Sequence, residues 1–328
     1  MHATEADHSR RRSLRALAGL AAALAGRAGW AAAEQPMLGK AWRLPPDTRH
    51  ELRPAAHGLS LAQALRAVQD WQIPPSSLLI LQLEDGVHMQ PRAITWRHAD
   101  GARIHVLGNP AEPARCKLQW ADSGDGFYVG AGQVLGTLDG VTLVQQGSGR
   151  PGSGLLADEG GAVLCGRQLR IEGFYYSVQA RRNGSARCEG VHASGGGDAN
   201  FFAFMGGHIH ARRSVSVAAR DDSKRLGSGY VAEYGGSIDA EGAVARYNAL
   251  DGYTALSNGV IRAYGSRAER NGRSGYFTDT GGRIVGHDAV AESNCGDGLL
   301  NRDGARAFTG ERFSSLQNNA PAPTCRTP

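Results

Sequence analysis

The sequence lacks most of the features that mark metal sites and nucleic-acid-binding domains. Its 328 residues include only five cysteines, and no CxxC pair or Cys/His spacing typical of a metal site occurs. No zinc-finger, helix-turn-helix or RNA-binding signature is present. We therefore expect no metal site, no other cofactor and no nucleic-acid partner.

The charge balance is also close to neutral once the segment 1–33 is set apart. The whole chain carries 36 lysines and arginines against 31 aspartates and glutamates, a net charge of +5. Residues 1–33 hold five of the arginines and two of the acids, which leaves 31 against 29 in the remainder. So small an excess gives no argument for a nucleic-acid partner.

No apolar run after residue 33 is long enough to span a bilayer. Residues Ser9–Arg15, with the sequence SRRRSLR, resemble the twin-arginine export motif, although Ser13 stands where phenylalanine is common. The alanine-rich run Ala16–Gly26 and the small residues Ala31–Ala33 complete the pattern of a cleaved signal. We expect a soluble protein exported to the periplasm or secreted; the alternative is a cytoplasmic protein with a basic tail.

In place of helical periodicity, the second half of the sequence has a repeat of about 23 residues. One column of this repeat reads Leu155, Val178, Phe201, Tyr230, Tyr253, Tyr276 and Leu299. Another reads Val163, Ala186, Ile209, Ile238, Ile261, Ile284 and Ala307. One step breaks the period, because six extra residues fall between Val217 and Tyr230.

The repeat predicts short strands that stack into a parallel β-solenoid. Alternation within a unit has a period of two, and no helix of ten residues fits inside a unit. The column Asn248, Asn271, Asn294 and then Gln317 predicts a ladder of hydrogen-bonded amides at an inward turn. The tyrosine column predicts an interior aromatic stack; a sugar-stacking platform is the alternative.

The pattern Asn-x-x-x-Gly-Tyr/Leu occurs at Asn248–Tyr253, Asn271–Tyr276 and Asn294–Leu299. It resembles the right-handed parallel β-helix of pectin-lyase-like proteins. The opening segment Leu78–Asn109 resembles the start of phage tail-fibre β-helix domains. The resemblance covers about Ser60 to Phe313 and implies an all-β fold. It implies no single activity, because that fold carries lyases, hydrolases, epimerases, adhesins and passive fibres.

We predict four segments along the chain. They are a signal peptide at 1–33, an extended arm at 34–59, the β-helix domain at 60–316 and a loose tail at 317–328. Ser60 and Gln63 match a capping box, and apolar residues at helical spacing follow as far as Trp71. We expect this helix to cover the first coil, where an open solenoid would expose strand edges and core.

Cys165 and Cys188 lie one repeat apart and occupy the same column. One interpretation is two small buried thiols; the other is a disulfide formed in an oxidising compartment. In-register neighbours point their Cβ atoms the same way, which disfavours the disulfide torsion. Twin-arginine export also carries proteins already folded in a reducing cytoplasm. We predict inward-facing thiols that stay reduced.

Candidate functional residues lie on the outward parity of one strand column, and we name them the predicted polar face. This face comprises Arg187, His208, His210, Arg212, Asp239, Glu241, Arg262, Tyr264 and His287. We expect the insertion Ala218–Leu226, which carries Asp221 and Asp222, to form a wall beside it. Arginine forks pair with uronate carboxylates, so the possible partner is a polysaccharide, acidic or neutral.

The predicted polar face also offers residues for catalysis. For a uronate lyase or epimerase, His210 or His287 could be the base, Arg212 or Arg262 the cation and Tyr264 a proton donor. Hydrolysis would need two carboxylates, and the candidates are Asp239 with Asp221 or Asp222. The polygalacturonase motif and the calcium-binding aspartate cluster of pectate lyases are both missing.

Two function classes follow. The first is a non-catalytic exported solenoid that binds glycan or acts as an adhesin-like structural protein. The alternative is a polysaccharide-active enzyme. Charged columns on a solenoid also occur as plain solvated surface, stabilised modestly by alternation of sign.

Overall fold

The chain folds as an all-β parallel β-helix, which confirms the architecture that the repeat predicts. The computed structural model describes residues 38–121, 124–146, 152–307 and 312–318. The predicted signal peptide and most of the predicted tail, residues 319–328, lie outside these ranges. In the described ranges, none of the helices has the length and apolar character needed to span a membrane.

Three parallel sheets form the walls of the solenoid, and most coils contribute one strand to each. Sheet 1 contains Arg49–Leu52, Leu78–Gln82, Ile104–Leu107, Val134–Asp139, Ala162–Cys165, Ser185–Arg187, His208–His210, Ser237–Asp239, Val260–Arg262, Arg283–Val285 and Arg306–Ala307. Sheet 2 contains Gly86–Gln90, Cys116–Trp120, Thr142–Gln145, Arg170–Glu172, His192–Ser194, Val215–Val217, Val244–Arg246, Arg267–Glu269, Ala289–Glu292 and Phe313–Leu316. Sheet 3 contains Ile94–Trp96, Phe127–Val129, Ser153–Ala157, Tyr176–Arg181, Ala199–Phe204, Ser228–Glu233, Tyr253–Ala255, Tyr276–Thr278 and Leu299–Asn301.

The columns of the sequence repeat are ladders in space. Ile238 pairs with Ile261, and Ile261 pairs with Ile284, on successive strands of sheet 1. In sheet 3, Tyr230 pairs with Tyr253 in the same way. All five side chains are at most 1% exposed, so the ladders line the core. Because each coil repeats the previous one, the core is one continuous column.

The tyrosine column is an interior stack, as predicted. The ring centroids of Phe201, Tyr230, Tyr253 and Tyr276 follow one another at 4.7, 4.8 and 4.9 Å, with planes within 7° of parallel. These distances match the strand spacing of about 4.8 Å. The hydroxyl of Tyr253 donates to the carbonyl of Ala243 at 2.7 Å. The stack therefore serves the core, and it offers no ring face to a sugar.

The asparagine ladder also forms, at the turn that follows sheet 2. Asn248 Nδ2 donates to Asn271 Oδ1 at 2.8 Å, and Asn271 Nδ2 donates to Asn294 Oδ1 at 2.9 Å. The next acceptor is Asn318 Oδ1, at 2.8 Å from Asn294 Nδ2. The prediction of Gln317 in this place was wrong.

Asn318 takes the place predicted for Gln317 because the last coil is longer than the coil before it. Ala289 pairs with Phe313, so this coil is one residue longer than the repeat. Gln317 consequently takes the left-handed turn position, with φ of 50°, that Ser293 takes in the coil before, with φ of 56°. The amide of the ladder then falls one residue later.

The N-terminal helix is Leu61–Ala67, and Ser60 and Gln63 form its predicted capping box. The amide of Gln63 donates to Ser60 Oγ at 3.3 Å, and the amide of Ser60 donates to Gln63 Oε1 at 2.8 Å. Leu61 is buried in the core. The helix ends earlier than its apolar pattern, because Trp71 already belongs to a strand.

Residues of the predicted arm take part in the solenoid. Arg49–Leu52 pairs in parallel with Leu78–Gln82 and is the outermost strand of sheet 1. Trp42–Arg43 pairs with Trp71–Gln72 in a separate two-stranded sheet. Three short 3-10 helices, Pro54–His57, Gly101–Arg103 and Pro113–Arg115, complete the secondary structure of the described residues.

Cys165 and Cys188 are neighbours in the same column, as predicted. Their Sγ atoms lie 3.3 Å apart, and both cysteines are free. Cys188 is fully buried, and Cys165 is partly buried against the core. The hydrogen bond with Cys188, together with burial, raises the pKa of the Cys165 thiol well above its usual range. Cys295 is disulfide-bonded, which we did not predict from the sequence.

Candidate functional site

The predicted polar face lies on the outer surface of sheet 1 and on the turns that follow its strands. His210, Asp239 and Arg262 occupy paired positions on three successive strands. The residues before them, among them Ile238 and Ile261, point into the core. The alternation of inward and outward side chains is therefore the one that the sequence predicts.

The charged side chains of this face form ion pairs with one another. Arg212 Nε lies 2.7 Å from Asp239 Oδ2, and Arg212 Nη1 lies 3.4 Å from Glu241 Oε2. His210 Nδ1 lies 3.9 Å from the same Asp239 oxygen. Arg212 and its neighbours leave the Asp239 side chain only 5% exposed. The central carboxylate of the predicted polar face is thus occupied by intramolecular partners.

Two histidines contact each other on the same face. His208 Nε2 and His210 Nε2 lie 3.0 Å apart, and His208 Nδ1 lies 2.5 Å from Ser237 Oγ. Burial lowers the pKa of His208, and the charges of His210 and Arg262 lower it further. Neutral imidazole is consequently the favoured form of His208 near neutral pH.

In the described ranges, no group of three or more His, Cys, Asp or Glu residues is placed to hold a metal ion.

The remaining members of the predicted polar face are spread along the solenoid. Tyr264 and His287 have ring centroids 5.0 Å apart, and His287 Nδ1 lies 2.7 Å from Asp288 Oδ2. His287 belongs to the coil three steps beyond that of His210, roughly 14 Å away along the axis at the usual strand spacing. Arg187 is exposed and pairs with His210 from the preceding coil. The two candidate bases therefore lie too far apart to serve one reacting centre.

The insertion Ala218–Leu226 does not flank sheet 1, so that prediction was wrong. It joins Val215–Val217 of sheet 2 to Ser228–Glu233 of sheet 3. Its Leu226 packs with Phe202 and Val231 of sheet 3. The amide of Asp222 donates to the carbonyl of Gly197 at 2.8 Å. The extra residues follow a sheet 2 strand, so they can only bulge at the corner between sheets 2 and 3.

The placement of the insertion also separates the carboxylates proposed for hydrolysis. Asp239 lies on sheet 1, whereas Asp221 and Asp222 lie at the corner beside sheet 3. Asp222 pairs with Arg220 at 3.0 Å, and Asp221 Oδ1 is buried without a hydrogen-bond partner among the described residues. Neither carboxylate can act together with Asp239 across one glycosidic bond.

The insertion instead borders an open groove of about 640 Å³ on the outer face of sheet 3. A row of five aromatic rings lines it: Tyr175, Tyr176, Phe202, Phe204 and Tyr234. Successive centroids in this row lie 4.8, 4.7, 5.4 and 5.4 Å apart. Phe202 packs on Leu226 of the insertion and on Val231 of the next strand, which forms a second apolar cluster outside the core. We call this surface the aromatic groove.

Acidic side chains lie among the rings of the aromatic groove. The Ser223 hydroxyl donates to Asp198 Oδ1, and the Tyr176 hydroxyl donates to Asp198 Oδ2 at 3.4 Å. Glu233 is 6% exposed, with Arg225 Nη2 at 3.5 Å from its Oε1. Burial raises the pKa of Asp198 and of Glu233 above their usual values, and the charge of Asp198 raises that of Glu233 further. Burial also raises the pKa of Asp125, a third acid in the groove.

A buried ion pair fixes the basic side of the aromatic groove. Arg181 lines the groove and donates from Nε and Nη2 to Asp158 Oδ2, at 3.1 and 3.0 Å. Burial of Asp158 opposes ionisation, yet Arg182 and Arg181 lower its pKa below the usual value. Asp158 is fully buried and remains charged, so it holds the Arg181 guanidinium in place.

We did not predict the aromatic groove from the sequence, although the sequence contains a signal for it. In the run Ala199–Phe204, Phe201 and Ala203 fall at inward parity, so Phe202 and Phe204 must point outward. Large aromatic rings at outward parity are unusual on a solvated sheet face. Tyr175 and Tyr176 lie one coil earlier and extend the same surface.

The aromatic groove thus joins ring faces, carboxyl groups and guanidinium groups, which are the usual components of a site for a polar, ring-shaped ligand. Comparison of the chain with protein-family models, with curated proteins and with solved structures gave no match in any of the three.

Proposed function

We propose that the protein is a glycan-binding β-helix whose binding site is the aromatic groove. The observation that carries the proposal is the row of five aromatic rings that lines an open groove across three coils. Phe202, in the middle of the row, is 5% exposed and supports the half-buried rings beside it, and Tyr234 is 53% exposed at one end. Ring faces carry partial negative charge and attract the C–H groups of pyranose rings. A groove of this form matches a chain of sugars better than a single compact ligand.

The polar groups of the aromatic groove favour a neutral glycan over a polyuronate. The groove is lined by three acidic side chains, Asp125, Asp198 and Glu233, and by two basic ones, Arg181 and Arg225. Arg181 is already paired with Asp158, so the acidic groups are in excess. Carboxyl and guanidinium groups hydrogen-bond sugar hydroxyls, whereas an excess of carboxylates repels uronate chains. We also propose that the protein is exported by the twin-arginine pathway. Export in the folded state would bring the groove into contact with periplasmic or extracellular glycans.

Native gels cast with single polysaccharides test the proposal. We expect soluble β-glucan or xylan to retard the protein, and polygalacturonate to retard it less. Tyr175→Ala and Tyr234→Ala should each lower the affinity, because each removes one end of the aromatic row. Tyr264→Ala is the matched control, as it removes a tyrosine from the turn that follows the sheet 1 strand Val260–Arg262. Retardation that is equal in the variants and the wild type would exclude the aromatic groove.

A second candidate function is glycoside hydrolysis in the same groove. The observation in its favour is the pair Asp198 and Glu233, whose pKa values are both raised by burial beside the aromatic row. Glycosidases need one protonated acid and one carboxylate at the scissile bond. Release of reducing ends from a bound polymer, lost in Asp198→Asn and Glu233→Gln while binding remains, would favour the enzyme.

The lyase or epimerase alternative on the predicted polar face is tested separately. A lyase creates an unsaturated product that absorbs ultraviolet light, so polygalacturonate and alginate can be assayed directly. Activity that disappears in His210→Ala would favour sheet 1 as a catalytic surface. No absorbance change with either polymer would exclude a lyase acting on them. An epimerase forms no unsaturated product, so it is assayed by exchange of the uronate C5 proton with deuterated solvent, and absence of both signals would leave the aromatic groove as the supported site.

A further inference from the structure

The outer face of sheet 1 brings two imidazole nitrogens to chelating distance. We propose that His208 Nε2 and His210 Nε2 together bind a divalent transition-metal ion of the Cu²⁺, Ni²⁺ or Zn²⁺ type. Neither the glycan proposal nor the hydrolytic alternative uses this pair, so the inference is independent of both. It also departs from the expectation of no metal, which was based on Cys-containing spacings.

The geometry of the strand places both rings on one side. His208 and His210 are two residues apart in a sheet 1 strand, so their side chains leave the same face. Their Nε2 atoms lie 3.0 Å apart. Bonds of about 2.1 Å to one ion, at angles between 90° and the tetrahedral value, require nitrogen atoms roughly 3.0–3.4 Å apart. The two rings are therefore already at the separation that coordination demands.

Neighbouring side chains orient the two imidazoles from behind. His208 Nδ1 lies 2.5 Å from Ser237 Oγ, so an Nδ1 proton donated there leaves the Nε2 lone pair free. His210 Nδ1 faces Asp239 Oδ2 at 3.9 Å. Metal-binding histidines commonly donate their other N–H group to an oxygen in this way.

The proton balance of binding is simple. The 3.0 Å contact requires one Nε2 to donate to the other. Coordination needs the tautomer in which His208 Nδ1 donates to Ser237 Oγ, and in that tautomer the shared proton belongs to His210 Nε2. When the ion binds, that proton moves from His210 Nε2 to His210 Nδ1, where Asp239 can receive it as a hydrogen bond. No net proton is released, and both Nε2 lone pairs become ligands.

The charges around the two histidines determine how tightly the metal ion should bind. Arg262 is close enough to affect His208 electrostatically, and its positive charge opposes a bound cation. His210 is exposed, so solvent would supply the remaining ligands. With two protein ligands and an opposing arginine, binding should be moderate, and it should follow the order Cu²⁺ above Ni²⁺ above Co²⁺.

Calorimetric titration of the untagged, full-length protein with NiCl₂ tests the proposal. We expect the wild type to bind one Ni²⁺ more than His210→Ala does, or to bind it at least tenfold more tightly. His208→Gln should show the same loss. His287→Ala, an exposed histidine on the same face, should bind as the wild type does. Arg262→Gln should bind Ni²⁺ more tightly, because it removes the opposing charge.

The outcomes separate a metal site from a plain hydrogen bond between two rings. Equal stoichiometry and affinity in the wild type, His210→Ala and His208→Gln would overturn the proposal. Circular dichroism of every variant guards against misfolding, because an unfolded chain would expose further histidines that bind Ni²⁺. Failure of Ni²⁺ to bind with micromolar or millimolar affinity would also overturn it.

Discussion

The rings of Tyr176 and Phe202 lie 4.7 Å apart, between centroids, on the outer face of two neighbouring strands of sheet 3. On the same two strands, Val178 and Phe201 pair with each other inside the core. Apolar contact therefore occurs on both faces of one sheet. The inner contact serves stability, and the outer contact forms the centre of the aromatic groove.

The core assignment of sheet 1 gives the first prediction. Ile261 is fully buried between Ile238 and Ile284, so Ile261→Ala should lower the free energy of unfolding by roughly 2–5 kcal/mol. Arg262 is exposed, and Arg262→Ala should change it by no more than about 0.5 kcal/mol. Urea denaturation of both variants measures the difference. Equal losses would mean that the two faces are misassigned.

The asparagine ladder gives the second prediction. Asn271 accepts from Asn248 Nδ2 at 2.8 Å and donates to Asn294 Oδ1 at 2.9 Å, and it is fully buried. Asn271→Ala should cost about 2–4 kcal/mol, because it leaves buried polar groups on both neighbours without partners. Asn301→Ala, at an exposed position, removes one acceptor, that of the Thr278 hydroxyl at 2.6 Å, and should cost only about 1 kcal/mol. Similar thermal shifts for the two variants would argue against the ladder.

The third prediction concerns Glu233, whose folded-state pKa is raised by burial. Between the unfolded value of about 4.3 and the folded value, the folded state binds more protons, so stability falls as pH rises through this window. Glu233→Gln removes the buried charge and should raise the melting temperature at pH 7–8. Below about pH 4 the gain should vanish, because both states are then protonated.

Glu241→Gln is the control for the pH experiment. The Glu241 side chain is 51% exposed and faces Arg212, and exposed pairs contribute about 0–1 kcal/mol. This variant should therefore melt close to the wild type at both pH values. A Glu233→Gln variant that is less stable than the wild type at pH 8 would show that Arg225 outweighs the burial of the carboxylate.

The fourth prediction concerns Cys165 and Cys188. Their Sγ contact and burial raise the pKa of Cys165, so the folded protein should react slowly with iodoacetamide. We expect both residues to remain thiols in protein recovered from the periplasm. Peptide mapping after alkylation in denaturant should find each one modified. A linked Cys165–Cys188 peptide, two hydrogens lighter than the two thiols, would contradict the prediction.

The fold could be predicted because the repeat fixes both register and parity. Its constant period places Ile238, Ile261 and Ile284 on one another, and the alternation within each unit decides which side faces inward. The prediction that Gln317 continues the asparagine ladder was wrong for the same reason: it assumed a constant period, and one extra residue in the last coil shifts every later position. A one-residue insertion of this kind cannot be detected when the repeat is extended at a constant period.

The candidate site was harder to predict, because it depends on which corner carries the insertion. Charged residues such as Arg212 and Asp239 stand out in a sequence, yet here they neutralise each other. Phe202 and Phe204 resemble core residues by composition, and only their parity shows that they point outward. The assembly of the aromatic groove also needs Tyr175 and Tyr234 from other coils, which no local pattern connects.

The most direct test compares the two surfaces with one ligand. A neutral oligosaccharide that retards the protein in gels is titrated calorimetrically into the wild type and into two double variants. We expect at least a tenfold loss of affinity in the double variant Tyr175→Ala with Tyr234→Ala, and unchanged affinity in Arg212→Ala with Arg262→Ala. Circular dichroism checks that all three proteins are folded. Unchanged affinity in the aromatic double variant, with loss in the arginine double variant, would contradict it and place the site on the predicted polar face.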